Sequence, residues 1–184
     1  MEQNVSMKIN ELPSPTWNWL KVNETPIKWS NKIEPCEIAA EGDAVSAETE
    51  QLSDIETGAG READAIFATE NTAKYQILAD NAGQDKTVRL HISGKKDAHT
   101  AGCVEIVAKE NSTLTVVMDS RVAPDATKEE DSTAEASLAV RVRMKVESGA
   151  SVRLVQVQMP QEHETLLSDI GGNLIGEGAK VEYI

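Results

Sequence analysis

A chain of 184 residues is long enough for one core of ordinary size. With one Phe, two Tyr and three Trp, that core must be built from Val, Ile, Leu and Ala, a packing that suits stacked sheets and solenoids. The formal net charge of −13, with no basic cluster to neutralise a phosphate backbone, argues against nucleic-acid binding.

The two cysteines, Cys36 and Cys103, have no CxxC spacing and cannot form a disulfide framework, which fits a reducing compartment. The first residues, MEQNVSMKINELPSP, carry no apolar leader, and nowhere do about 18 apolar residues run together. The expectation is a soluble, cytoplasmic protein in two zones. Residues 1–84 form an N-terminal arm and acidic segment, and residues 85–184 form a repeat region.

The arm concentrates the large aromatics in LPSPTWNWLKVNETPIKW. Pro13, Pro15 and Pro26 forbid a long helix, so the expectation is an extended arm whose indoles, Trp17, Trp19 and Trp29, plug onto the main body. Such a seat would also give each indole N–H a partner. After it, residues 34–64 hold ten acidic residues against the single Arg61. The part over 34–60 is rich in small residues and poor in large apolar ones, which predicts a flexible segment or a solvated covering. No DxDxDG loop is present to make its carboxylates a calcium site. Around Ile66, Phe67, Tyr75, Ile77 and Leu78 the pattern allows a short amphipathic element.

From about Val88 onward, period two takes over. In SLAVRVRMKVES, Val140, Val142, Met144 and Val146 alternate with Arg141, Arg143, Lys145 and Glu147, predicting a strand with one buried and one wet face. SVRLVQVQM changes phase between Leu154 and Val155, which predicts a bulge or a corner.

Three segments also repeat one pattern: E-NSTLTV from Glu110, E-SGASVRL from Glu147 and E-GAKVEY from Glu177. Aligned on the small residue, they superpose Ser112, Ala150 and Ala179, then Leu114, Val152 and Val181, then Val116, Leu154 and Tyr183. The steps are 38 and 29 residues, and the longer one contains the loop APDATKEEDSTAEA. Insertions confined to one corner are what a solenoid tolerates. A repeat of this length with strand-like runs and no helical period predicts a mostly β fold, a parallel β-helix, right-handed if its crossovers follow the usual rule. The last coil, GEGAKVEYI, offers an aliphatic strand without a capping element, from which self-association through the C-terminal coil is expected.

Catalytic motifs are sparse. GGNLIGEG lacks the GK[ST] of a phosphate loop and reads as solenoid turns. HETLL at His163 is not HExxH. His91, His99 and His163 share no ligand spacing with either cysteine. Cys103, in AGCVEIVA, reads as a small buried hydrophobe at a strand start. No nucleophile, base and oxyanion hole assemble, so the chain reads as no enzyme, with no catalytic, cofactor-binding or metal residues assigned.

The arm LPSPTWNWLKVNE, followed by DSRVAPDA, SGASVRLVQVQM and HETLLSDIGGNLIGEGAKVEYI, resembles the SufD branch of the SufB/SufD scaffold family of iron–sulfur cluster assembly, in its N-terminal portion. The fit is diffuse: Asp169, Ile170, Leu174, Gly178, Ala179 and Val181 follow the family's coil pattern without strict spacing. The resemblance implies a right-handed parallel β-helix that stacks with a SufB-like subunit and docks a SufC-like ATPase. It implies a non-catalytic scaffold without a cofactor of its own, on whose assembly an iron–sulfur cluster rests only transiently. None of His91, His99, His163 or Cys103 matches a functional position of the family. Two other readings use the same residues. One is a β-sandwich or jelly-roll binding module with antiparallel pairing from Val104 onward. The other is a cupin-type metal enzyme using His91, His99 or His163.

Overall fold

The structure is a computed structural model that describes residues 4–9, 25–43, 52–68, 70–80, 82–122, 136–162 and 164–184. Trp17, Trp19, His163 and nearly all of the loop 123–136 lie outside the described residues. Twelve strands are described: β1 (Asn4–Ile9), β2 (Thr25–Ser30), β3 (Ile33–Pro35), β4 (Glu37–Gly42), β5 (Ala73–Ala79), β6 (Asp85–Ser93), β7 (His99–Ala108), β8 (Thr113–Arg121), β9 (Ala136–Val146), β10 (Ser151–Gln158), β11 (Glu164–Leu174) and β12 (Lys180–Tyr183). A 3-10 turn, Arg61–Ala63, leads into α1 (Asp64–Phe67), the one short α-helix among the described residues. Among the described residues no helix is long and apolar enough to cross a membrane.

The fold is mostly β and its main pairings are parallel. One sheet has the order β12-β10-β8-β6-β4, and a second has β11-β9-β7-β3 with β5 also on β7. From β6 to β12 successive strands therefore alternate between the sheets, and every pairing among those seven strands is parallel. The antiparallel hairpins of a jelly roll are not what the region from Val104 onward adopts. Among the described residues antiparallel pairing is confined to β1 with β2, β4 with β6, and one isolated bridge.

Alternation explains the core. Val88, Leu90 and Ile92, then Leu114, Val116 and Met118, then Val152 and Leu154 face inward from the first sheet. Val104 and Ile106, then Leu138, Val140, Val142, Met144 and Val146 meet them from the second, all in one cluster. Burying a β-branched or Leu side chain contributes about 1.5–3 kcal/mol, so rows of such residues across neighbouring strands dominate the stability of the pair of sheets.

The repeat register appears in the ladder itself. Leu114 pairs with Val152, and Val152 with Val181; Val116 pairs with Leu154, and Leu154 with Tyr183. The preceding corner residues, Gly83, Asn111, Gly149 and Gly178, all have positive φ, of 78°, 58°, 68° and 76°. They stack through backbone bonds, Gly83 N–H to Asn111 O, Asn111 N–H to Ser148 O and Gly149 N–H to Glu177 O. Gly149 suits the corner because its φ is positive; a Cβ there would lie 2.3 Å from Asn111 Oδ1, so the Asn111 side chain would have to turn aside.

Several expectations are corrected. The sheets do not begin at residue 85, because β3 and β5 already pair with β7, and β4 with β6. The acidic segment is not a flexible or merely solvated covering over its described length. Residues 33–35 and 37–42 form strands, and Leu52, Ile55 and Ala59 are buried. The phase change after Leu154 is no bulge: β10 pairs with β8 without interruption through Gln158. What changes there is that an inward position is polar. Gln156 Nε2 donates to Ser168 Oγ at 2.8 Å, and Tyr183 OH donates to Gln156 Oε1 at 2.8 Å. In the glycine-rich stretch, Gly171 and Gly172 belong to β11, and only Gly176 and Gly178 turn the chain.

Candidate functional site

The polar groups of the chain converge on the outer face of the second sheet. Its registers set Lys74, Cys103, Arg141 and Asp169 in one row across β5, β7, β9 and β11, with Gln76, Glu105, Arg143 and Gly171 in the next. Period two alone would leave these residues in water. Instead residues 52–68 lie across them as a strap, because Ala59, Ala63, Ile66 and Phe67 pack with Met7, Ile9, Trp29, Ile33, Ala101, Ala139 and Leu167. Leu52 and Ile55 pack likewise on Val107.

Arg141 is the centre of the arrangement. Its Nε donates to Asp169 Oδ2 at 2.7 Å, its Nη2 lies 2.8 Å from Asp64 Oδ1, and Phe67 stacks with its ring centroid 4.1 Å from the guanidinium carbon. Asp169 is saturated in turn, Oδ1 accepting from Ala59 N–H at 2.8 Å and Oδ2 from Thr57 OH at 2.7 Å. One row away, Glu105 accepts from Gln76 Nε2 at 2.8 Å and from Leu52 N–H, while Arg143 Nε donates to Ile55 O at 3.2 Å. Burying a charge without partners is costly, and Arg141 and Asp169 are paired, although Arg141 Nη2 faces Asp64 as an ion pair without a well-aligned hydrogen bond. The wet face expected of β9 is thus largely occupied by the strap.

Two adjoining cavities, of about 580 and 340 Å³, lie between strap and sheet and share Ser53, Asp64 and Arg143. The larger is lined also by Asp54, Glu56 and Arg61, the smaller by Lys74, Cys103, Glu105 and Arg141. Cations and carboxylates alternate in both, so neither has a single sign of field with which to select a ligand. Burial raises the Cys103 thiol above its ordinary value; Arg141, Arg143 and Lys74 oppose this and Glu105 adds to it. A protonated thiol without an adjacent base is a weak nucleophile. Cys103 lies within β7 rather than at a strand start. Cys36, buried against Gly102, is pushed up to about 12 by desolvation.

The two described histidines, His91 and His99, do not come together. His91, on β6, lies between Glu41 and Asp119 at 3.8 and 3.7 Å. His99, on β7 in the other sheet, packs against Trp29 with ring centroids 5.8 Å apart and contacts Ser137 Oγ through Nδ1. Among the described residues no three His, Cys, Asp or Glu side chains form a group that could hold a metal ion. Trp29 is buried on the body, as the arm pattern predicts, but its indole N–H has no partner among the described residues. Sequence reasoning missed the Arg141–Asp169 pair. Its one signal was a pair of arginines on the outward phase of an otherwise aliphatic strand.

The second notable surface is the end of the two sheets. Leu174, Ile175, Tyr183 and Ile184 are exposed there, with Val157 and Met159 beside them. The two edge strands differ. On β11, Ile170 O accepts from Gly58 N–H at 3.2 Å, so the strap occupies that edge. No corresponding segment among the described residues bonds to the outer side of β12.

Comparison of the chain with protein-family models, with curated proteins and with solved structures finds no match.

Proposed function

We propose that the chain is a non-catalytic scaffold module, a right-handed parallel β-helix of the kind that its resemblance to the SufD branch implies. It would act in the cytoplasm with SufB-like and SufC-like subunits in iron–sulfur cluster assembly. The observation that carries the reading is the stacking of equivalent positions. Gly83, Asn111, Gly149 and Gly178 turn successive corners, and Leu114, Val152 and Val181 follow in one parallel ladder. A stack of such coils presents long flat faces and edges, which suit docking more than chemistry. The polar cluster under the strap supports the same reading, since its charges are engaged with one another and hold the strap in place.

The test is co-expression with a SufB-like and a SufC-like subunit, with the affinity tag on this chain alone. Co-elution of the SufB-like subunit in fixed ratio is expected, together with a cluster chromophore that forms only in the assembled complex. Failure to co-elute, or an iron–sulfur cluster held in stoichiometric amount by this chain alone, would sink the assignment.

A further inference from the structure

We propose that the smaller cavity under the strap binds a phosphate group, free or carried on a small ester, between Lys74, Arg141 and Arg143, with Asp64 of the strap as the counter-ion that it displaces. This goes beyond the scaffold reading and does not depend on it.

The floor of the cavity follows from the sheet. Cys103 on β7 stands between Lys74 on β5 and Arg141 on β9, and Arg143 takes the next outward position of β9. Neighbouring strands lie about 4.8 Å apart and every second residue shares a face, so three cations flank one small thiol. All four residues line the cavity of about 340 Å³, with Glu105 of β7 and with Ser53 and Asp64 of the strap.

The lining charges nearly balance in sign, but not in hydrogen-bonding capacity. Both Glu105 oxygens are engaged, Oε1 by Leu52 N–H at 3.4 Å and Oε2 by Gln76 Nε2 at 2.8 Å. The cations keep donors to spare. Among the described residues Lys74 Nζ has no hydrogen-bond or ion-pair partner, and Arg143 uses only Nε, on Ile55 O at 3.2 Å. Arg141 is 3% exposed, yet its Nη2 makes no hydrogen bond. A buried donor without an acceptor is costly, so a ligand that supplies acceptors at this point is favoured. The Cys103 thiol, raised by burial, registers the same excess: Arg141, Arg143 and Lys74 each favour its charged form, and Glu105 opposes them.

Asp64 is suited to leave. Its side chain is 57% exposed, so water competes for it, and it meets Arg141 Nη2 at 2.8 Å without a well-aligned hydrogen bond. A phosphate presents its acceptor oxygens in a tetrahedron toward all three cations, whereas a planar carboxylate has only two. Charge-assisted bonds of this kind are about twice as strong as neutral ones. Asp169 stays on Arg141 Nε, so the strap keeps its anchor when Asp64 yields. The adjoining cavity of about 580 Å³ gives room for the organic part of an ester.

The experiment reads Cys103, which shares the cavity. Its modification by a neutral disulfide reagent is timed at matched ionic strength while inorganic phosphate, glycerol phosphate or acetate is titrated. Saturable protection by the two phosphates and none by acetate is expected; the tighter of the two identifies the free ion or the ester as the preferred source. Arg143→Gln should weaken the protection by about tenfold. Asp64→Asn should tighten it several-fold, because the competing carboxylate is gone, and a purely structural role for Asp64 would not. Should Arg143→Gln fail to fold, Lys74→Gln reads the same loss at an exposed position. Protection that does not saturate below about 10 mM, equal protection by acetate, an Asp64→Asn variant that binds no tighter than the parent, or a folded cation variant that binds as well as the parent would each overturn the proposal.

Discussion

Arg141 on β9 and Asp169 on β11 stand directly opposite one another in the ladder, with Nε and Oδ2 2.7 Å apart and side chains only 3% and 0% exposed. The pair sits beneath residues 57–67, and its strength follows from its isolation from water. Removing one member strands the other. Asp169→Ala is expected to cost about 3–5 kcal/mol, read from urea midpoints. Arg141→Met with Asp169→Leu should cost less than the sum of the two single changes by about 1–3 kcal/mol. Strict additivity would mean that the two groups act separately.

Val152 lines the interior between Leu114 and Val181 and is fully buried, whereas Val181 is only partly covered. Val152→Ala should therefore cost about 2 kcal/mol through lost transfer energy and a residual cavity. Val181→Ala should cost less than about 1 kcal/mol in the monomer. Equal costs at the two positions would contradict the burial gradient toward the β12 edge.

Gly171 is required for space. A Cβ there would lie 2.1 Å from Glu56 O and 3.0 Å from Thr57 Cγ2, so the strap must lift to admit it. Gly171→Ala is expected to destabilise by about 1–3 kcal/mol and to speed tryptic cleavage at Arg61, which is exposed within the strap. Cleavage at the parental rate would show that the strap does not need this close approach.

The Cys36 thiol, held at about 12 by burial against an ordinary value near 9, makes stability depend on pH. The folded state keeps a proton that the unfolded chain releases, so the contribution is whole below pH 9 and is lost as pH rises toward 12. The slope is about 1.4 kcal/mol per pH unit in that window. Subtracting the alkaline stability profile of Cys36→Ala from that of the parent should isolate it, and parallel profiles would argue against the burial. In the folded protein Cys103 should react with a neutral disulfide reagent well before Cys36 does.

The register of the repeat was legible because it is written in short-range terms. The alternation of Leu114 and Val116, of Val152 and Leu154, and of Val181 and Tyr183 determines which face of each strand is apolar. A small residue after a corner marks where each strand starts, and a one-residue slip would turn every aliphatic side chain outward. The burial of Trp29 was legible for a similar reason, since an indole among turn formers has few other places to go.

The strap was decided only in three dimensions. Leu52, Ile55, Ala59, Ile66 and Phe67 are too few and too irregularly spaced for a period, and the acidic residues around them suggest solvent. Their partners, Val107, Ala139, Arg141, Leu167 and Asp169, lie far along the chain, and the sheet must form before a docking surface exists. The same dependence turned Arg141 from a solvated residue into a buried one and made the inward Gln156 a bridge between sheets rather than a bulge. It also covered the edge of β11, where Gly58 N–H reaches Ile170 O. A charge pattern along one strand specifies an outward face, but only the fold determines whether water or another segment meets it.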